Sequence, residues 1–246
     1  MLDTGARAAL AATRFHHVTW LGEVTSTNDE VAARARAGAS EGVVVTADVQ
    51  TAGRGRRART WEAPPRASLL VSVLLRPAAA HLGLMAAGLA AVDACRAHAG
   101  VDATLKWPND LMVEGPTAAG RKLAGILAET TSGDGVVVGL GLNVDWGASP
   151  LPAGATSLAE IAGLTVVVDR AGLLVSYLLA LEDRCRQPPE LLITHYRAAC
   201  STIGRRVRVE LPGGLSIEGL ATGVDDAGRL LVDDRPVAAG DVIHVR

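Results

Sequence analysis

Cysteine is scarce in this chain: Cys95, Cys185 and Cys200 are the only three in 246 residues. They are far apart and odd in number, which excludes a disulfide framework and a closely spaced zinc site and fits a reducing, cytoplasmic setting. Long apolar runs are missing as well. The opening MLDTGARAALAATRF is interrupted by Asp3, Arg7 and Arg14, so it has no signal-peptide core, and no later run is long enough for a membrane span. Excess charge is absent: a formal net charge of -2 argues against general affinity for nucleic acid or anionic membrane, so any such contact has to be local. Repeats, low-complexity tails, a helix-turn-helix segment and a Walker A sequence are not found. Phe occurs once and lysine is rare, which we read as codon bias. With 49% apolar residues the chain is long enough and apolar enough to bury a proper core.

Against this neutral background one stretch stands out, QTAGRGRRARTW from Gln50 to Trp61, which carries Arg54, Arg56, Arg57 and Arg59 and no acid. Gly53 and Gly55 let the backbone approach a ligand, and guanidinium groups offer forked donors to phosphate or carboxylate. The pattern suits a loop closing over an anion. A solvated basic loop or a nucleic-acid patch gives the same local composition.

The flanking chain gives the loop a scaffold. The spacing predicts strands at 42–50 and 68–75 on either side of it. Before them, EVTSTNDEVAARARAG predicts a helix with Thr27 as N-cap, Glu30 completing a capping box, and Gly38 at its end; the Ser26-Thr27-Asn28 cluster also presents groups able to bind a polar ligand. A helix is expected over 81–98. In TLKWPNDLMV, Pro108 and Asn109-Asp110 break a strand and bring Lys106, Asn109 and Asp110 together. A loop at 114–120 then precedes the apolar strand KLAGILAET, with Lys122 at its mouth, directed either to a polar site or to solvent. The strand VVVGLGLNV alternates Gly139 and Gly141, which implies close approach of a ligand or backbone; the third glycine of a dinucleotide fingerprint is missing. A capped helix start follows at 156–160, and then helices around 171–186 and 190–200. Short alternating strands from Gly204 onward predict a small β-barrel. Isolated His16, His17 and His244 are taken as structural or surface residues.

Taken in order, STN, QTAGRGRR, KWPND, KLAGILAE, GLGLNV and a terminal β unit ending GDVIHVR resemble the biotin protein ligase family over about 23–246. The resemblance implies an α+β fold, a mixed sheet with flanking helices related to class II synthetases, followed by an SH3-like barrel. The implied domains are a lead segment 1–22, a catalytic domain 23–202 and a C-terminal domain 203–246. It further implies the ligase-only type, without an N-terminal DNA-binding domain. Carried onto matching positions, the biotin site falls on Ser26, Thr27, Asn28, Gln50, Gly53, Arg54 and Lys122. The nucleotide site falls on Arg54, Arg56, Arg57, Trp61, Lys106, Asn109 and Asn143. Lys122, Arg56 and Asp110 are the expected catalytic groups. Ala58 departs from a glycine common in the family, which stiffens the loop without removing a charged donor.

The implied chemistry joins biotin and ATP, with Mg²⁺, to biotinyl-5′-AMP and passes biotin to a lysine of a biotin carboxyl carrier domain of an acyl-CoA or pyruvate carboxylase. Two anions must meet, so cations are required, while the final nucleophile comes from the partner and no catalytic triad is needed. No protein-held metal site, DNA or membrane partner is expected, and a homodimer is left open. The alternatives are a lipoate ligase on the same scaffold and a nucleic-acid module built on the Arg loop.

Overall fold

The fold is described from a computed structural model that covers residues 2–114, 120–131, 134–163 and 168–245. Most of the loop expected at 114–120 lies outside these residues.

The first helix, α1 (Thr4–Leu10), starts at Asp3, whose carboxylate accepts from the Ala6 N–H at 2.8 Å. Then come β1 (Val18–Val24), α2 (Thr27–Arg36), β2 (Val44–Gln50), β3 (Ser68–Leu75) and α3 (Ala80–Ala99). The chain continues through β4 (Ala103–Lys106), β5 (Asp110–Val113), β6 (Arg121–Thr130), β7 (Val136–Asn143), α4 (Leu158–Ala162), α5 (Arg170–Cys185) and α6 (Pro189–Ala199). Strands β1 to β7 form one mixed sheet in the order β1-β2-β3-β7-β6-β5-β4, with β1 parallel to β2 and every other pair antiparallel.

The two-residue period of the strands sorts their side chains to opposite faces. Val136, Val138, Leu140 and Leu142 of β7 join Leu69, Val71, Val73 and Leu75 of β3 in the main core under α3. On α5, Leu173, Leu174, Tyr177, Leu178 and Leu181 recur at helical spacing and are buried in the same core. Each such leucine stabilises the fold by about 1.5–3 kcal/mol through its burial. The other face of β7 carries Val137, Gly139, Gly141 and Asn143; only Val137 joins the small apolar cluster with Val31 and Ala35 of α2. The rest of that face is left to glycines and polar groups, and the candidate site lies there.

Strands β8 (Arg206–Glu210), β9 (Ser216–Val224), β10 (Leu230–Val232), β11 (Arg235–Val237) and β12 (Asp241–His244) form the C-terminal unit. It is antiparallel in the order β11-β10-β9-β8-β12, so among the described residues the expected barrel is not closed by pairing of β11 with β12. The mixed sheet, flanking helices and separate β unit are those expected.

One local expectation is corrected. Helix α2 starts one residue earlier than read: Ser26 is its N-cap and no side chain caps it, because the Thr27 hydroxyl donates instead to Gln50 Oε1 at 2.9 Å. The capping box is replaced by a tertiary bond. Gly38, at φ 88°, ends the helix region as expected.

Candidate active site

Beneath the Arg-rich loop, a cavity of about 190 Å³ is lined by Ser26, Thr27, Asn28, Gln50, Arg54, Arg56, Trp61, Lys106, Asn109, Asp110 and Lys122. These eleven come from α2, the end of β2, the loop, the β4–β5 turn and β6. Its floor follows from sheet register. Gly125 pairs with Gly141 and Leu127 with Gly139 across β6 and β7, so the strands present little side-chain bulk. The Trp61 indole lies on this floor: a Cβ on Gly141 would come within 2.5 to 2.9 Å of its ring atoms. At Gly139 a Cβ would meet the Asn28 amide oxygen. The alternating glycines therefore provide the close approach anticipated, with Trp61 and Asn28 as the groups that approach.

At one end the polar groups form a hydrogen-bonded network. Gln50 Oε1 accepts from the Thr27 N–H at 2.8 Å and from its hydroxyl, and Ser72 Oγ lies 2.7 Å from Thr27 Oγ1 and 2.6 Å from Asn28 Oδ1. Asn28 Nδ2 donates to Glu129 Oε2 at 2.6 Å. Arg54 closes the network with two 2.7 Å bonds to Asp29 and weaker ones to Glu129. Its hydrogen bonds to Asp29 hold the Arg54 guanidinium firmly protonated and hold the Asp29 carboxyl below the usual carboxylate range. Ser72, Asp29 and Glu129 were not expected at the site: Ser72 belongs to no motif, while Asp29 beside STN and Glu129 at the end of KLAGILAE carry no local signal of a tertiary role.

At the other end the cations gather. The chain has two lysines, Lys106 and Lys122, and both line the cavity. Lys122 Nζ is 2.7 Å from Asp110 Oδ1 and 5.7 Å from the centre of the Trp61 ring. The ammonium thus faces the polar site, with the Lys122 side chain still partly exposed. Burial lowers the pKa of Lys106, opposed by Asp110 and reinforced by Lys122. Burial likewise lowers that of Arg56, whose Nη1 donates to Asn109 Oδ1 at 3.3 Å and to the Gly240 carbonyl at 3.2 Å. Two lysines and an arginine with only the Asp110 and Asp241 carboxylates nearby make a small cavity suited to anions.

This arrangement has close counterparts. Residues 21–144 match the Biotin/lipoate A/B protein ligase family and residues 202–245 match the Biotin protein ligase C terminal domain. A biotin--[acetyl-CoA-carboxylase] ligase of Mycobacterium tuberculosis is 43% identical over 237 residues, covering 90% of this chain and 86% of that protein. The chain belongs to the biotin protein ligase family. A bifunctional ligase/repressor BirA of Bacillus subtilis is 33% identical, covering 88% of this chain and 69% of its own length. Among solved structures, the biotin protein ligase from Aquifex aeolicus in complex with biotin and ATP superposes with a TM-score of 0.77 at 26% identity, covering 94% of this chain and 99% of that one.

Three of the expected site residues do not line the cavity. Gly53 is buried beside it, where a Cβ would meet Gln50 Nε2 at 2.8 Å. Arg57 turns away to the C-terminal unit, donating to the Glu210 carbonyl at 2.9 Å and to Asp241 at 3.1 Å. Asn143 spends its amide internally, accepting from Ser68 Oγ at 3.3 Å and donating to the Thr156 carbonyl at 3.0 Å. Asp241 is the converse case: it lies in the terminal GDVIHVR, was not expected at the site, and lines the cavity from the C-terminal unit.

Proposed function

We infer that this chain is a ligase that activates biotin with ATP to biotinyl-5′-AMP and then transfers biotin to a lysine of a carrier protein. The observation that carries the reading is the convergence, on one cavity in a member of this family, of the Ser26-Thr27-Asn28 and Gln50 network with Arg56, Lys106, Asp110 and Lys122. In this reading the hydrogen-bonded network end holds the uncharged, hydrogen-bonding head of biotin. The cationic end receives its carboxylate and the α-phosphate.

The first step brings two anions together: a carboxylate oxygen attacks the α-phosphorus and pyrophosphate leaves with its electron pair. Lys122, beside the reacting groups, and Arg56 lower the repulsion and stabilise charge growing on the phosphate oxygens. Lys106 adds a second ammonium from the end of β4. Asp110 keeps the Lys122 ammonium in place until substrate arrives. Magnesium enters as part of the substrate, Mg-ATP. In the second step a carrier lysine amine attacks the carbonyl carbon of the mixed anhydride and AMP departs. Between the two steps, closure by the Arg loop protects the anhydride from water. A cytoplasmic setting belongs to this reading, since it supplies ATP and suits three unpaired cysteines. The acceptor is proposed to be the biotin carboxyl carrier domain of an acyl-CoA or pyruvate carboxylase.

Biotin is favoured over lipoate because the C-terminal match and the curated relatives reported above are to biotin ligases. A nucleic-acid role is disfavoured because Arg54, Arg57 and Arg59 are already paired with Asp29, Glu129 and Asp241. The test is isotope exchange between pyrophosphate and ATP. Exchange is expected with biotin, not with lipoate, and is lost in Lys122→Ala. Biotin-independent exchange, or none in folded protein, would contradict the reading.

A further inference from the structure

The segment that carries Lys106, Asn109 and Asp110 is held in two different ways. At one end Asn109 is hooked to the sheet: its Nδ2 donates to the Ile126 carbonyl and its own carbonyl accepts from the Ile126 N–H, both at 2.8 Å. The Lys106 end has no such hook. Strand β4 has four residues and is the last in the sheet order, so its outer edge faces away from β5. Among the described residues no hydrogen bond or ion pair holds the Lys106 ammonium, which feels Asp110, Lys122 and Asp241 only through space. Its aim therefore depends on the backbone that carries it.

That backbone is gripped on both sides of Lys106 from the C-terminal part of the chain. The Leu105 carbonyl accepts from the Ser201 N–H at 2.8 Å and from its hydroxyl at 3.1 Å. The Trp107 N–H donates to Thr202 Oγ1, just ahead of β8, and the indole N–H donates to the Gly228 carbonyl in the β9–β10 turn, both at 3.0 Å. Trp107 and Thr202 are buried, so removing either acceptor leaves a buried donor unsatisfied. The Gly228 turn is fixed in its own right. Asp225 Oδ1 accepts from the Ala227 and Arg229 N–H groups at 3.0 and 2.9 Å, and Arg197 of α6 bonds the Val224 carbonyl at 2.6 Å and Asp226 at 2.9 Å. At Gly228, φ 77°, a Cβ would stand 3.0 Å from the His81 Cβ, so the turn is packed against the start of α3.

We propose that Trp107 is a positioning residue: tied to Thr202 and to the Gly228 turn of the C-terminal unit, it sets where the Lys106 ammonium stands in the cavity. The part Lys106 plays towards phosphate rests on the proposed function, whereas the tie itself does not. Neither Thr202 nor Gly228 lines the cavity. The C-terminal unit thus influences the use of ATP from a turn outside the site.

The test uses the full chain with Trp107→Phe, which removes the indole N–H and keeps a ring, and Thr202→Val, which removes the hydroxyl at nearly constant shape. Urea unfolding checks that each is folded, and either one alone carries the test. Lys106 and Lys122 are the only lysines, so reductive methylation with isotope-labelled formaldehyde gives each its own NMR signal. The Lys106 signal is expected to shift in both variants, by more than that of Lys122, and to return in Thr202→Ser. In pyrophosphate–ATP exchange kcat/KM for ATP falls about tenfold in each, the scale of one lost hydrogen bond, with the biotin KM unchanged. In a Lys106→Ala background the same substitutions cost less than about twofold, because the group they aim is gone. An unmoved Lys106 signal in the folded variants would overturn the proposal, and so would a tenfold loss that persists in the Lys106→Ala background. A Lys106 signal that shifts in a protein without biotin-dependent exchange would overturn the ligase reading and leave the positioning.

Discussion

At the residue scale the site is a set of short-range substitutions for what local sequence alone would do. Thr27 and Asn28 look like helix-cap residues, and their side chains are instead taken by Gln50, Ser72 and Glu129. The motif residues were legible because each sits in a compact run that needs no tertiary knowledge. Asp29, Ser72, Glu129 and Asp241 were not, even where they sit in or beside such a run, since their role comes from partners distant in sequence. Two predictions belong here. Asp110 is paired with Lys122 at 2.7 Å, and the proposed reaction gives it the role of aligning or deprotonating the incoming carrier lysine. Asp110→Asn is expected to slow single-turnover transfer from preformed biotinyl-AMP by about 100-fold, the lower range for a positioned acid–base group; an unchanged rate assigns Asp110 to Lys122 alone. Gly141→Ala puts a methyl within 2.5 Å of the Trp61 ring. It should cost about 1–3 kcal/mol in urea unfolding, as overpacking does, and raise the KM for biotin. An unchanged KM would mean that the ring is not part of the biotin wall.

At the scale of elements, the major strands and helices follow their apolar period closely, and β3 spans the Ser68–Leu75 read from sequence. The beginning of the chain was less readable. Helix α1 has seven residues, and β1, an edge strand of VTWLGEV, is only partly buried, so neither has a strong period. Both are nevertheless tied in. Leu10 and Phe15 are buried in the main core, and Arg14 reaches Glu182 of α5 at 3.0 Å and Glu41 at 3.1 Å. Burial alone would raise the Glu182 carboxyl, but its hydrogen bonds from Arg14 outweigh that and hold it low. A carboxyl with a depressed folded pKa stabilises the fold above its unfolded pKa and loses that contribution as pH falls through the folded value. Arg14→Met should therefore cost about 2 kcal/mol at neutral pH, measured by urea unfolding, with the loss shrinking in acid. A pH-independent loss would point to packing of the Arg14 stem instead.

For the whole molecule, the important feature is that two units share one site, and the seam between them carries its own pH dependence. His244 of β12 has Arg205 Nη1 at 3.4 Å from Nδ1 and Thr202 Oγ1 at 3.5 Å from Nε2. Burial, with Lys106 and Arg205 adding to it and Glu114 opposing, pushes its pKa down to about 4. The unfolded chain then binds more protons than the folded one between about pH 6.5 and about 4. Stability is full above that window and falls as pH drops through it. His244→Gln is expected to flatten urea midpoints across this window, and an equally steep profile would contradict the assignment. The open β11–β12 edge shows where sequence reading stopped: alternation predicts strands and their faces, whereas closure depends on long-range register. The account stands or falls on one measurement, the intact mass of a biotin carboxyl carrier domain after incubation with this protein, biotin and Mg-ATP. The predicted result is a gain of one biotin per carrier, abolished when the carrier's acceptor lysine is replaced; no gain with several folded carriers and folded protein would contradict the assignment.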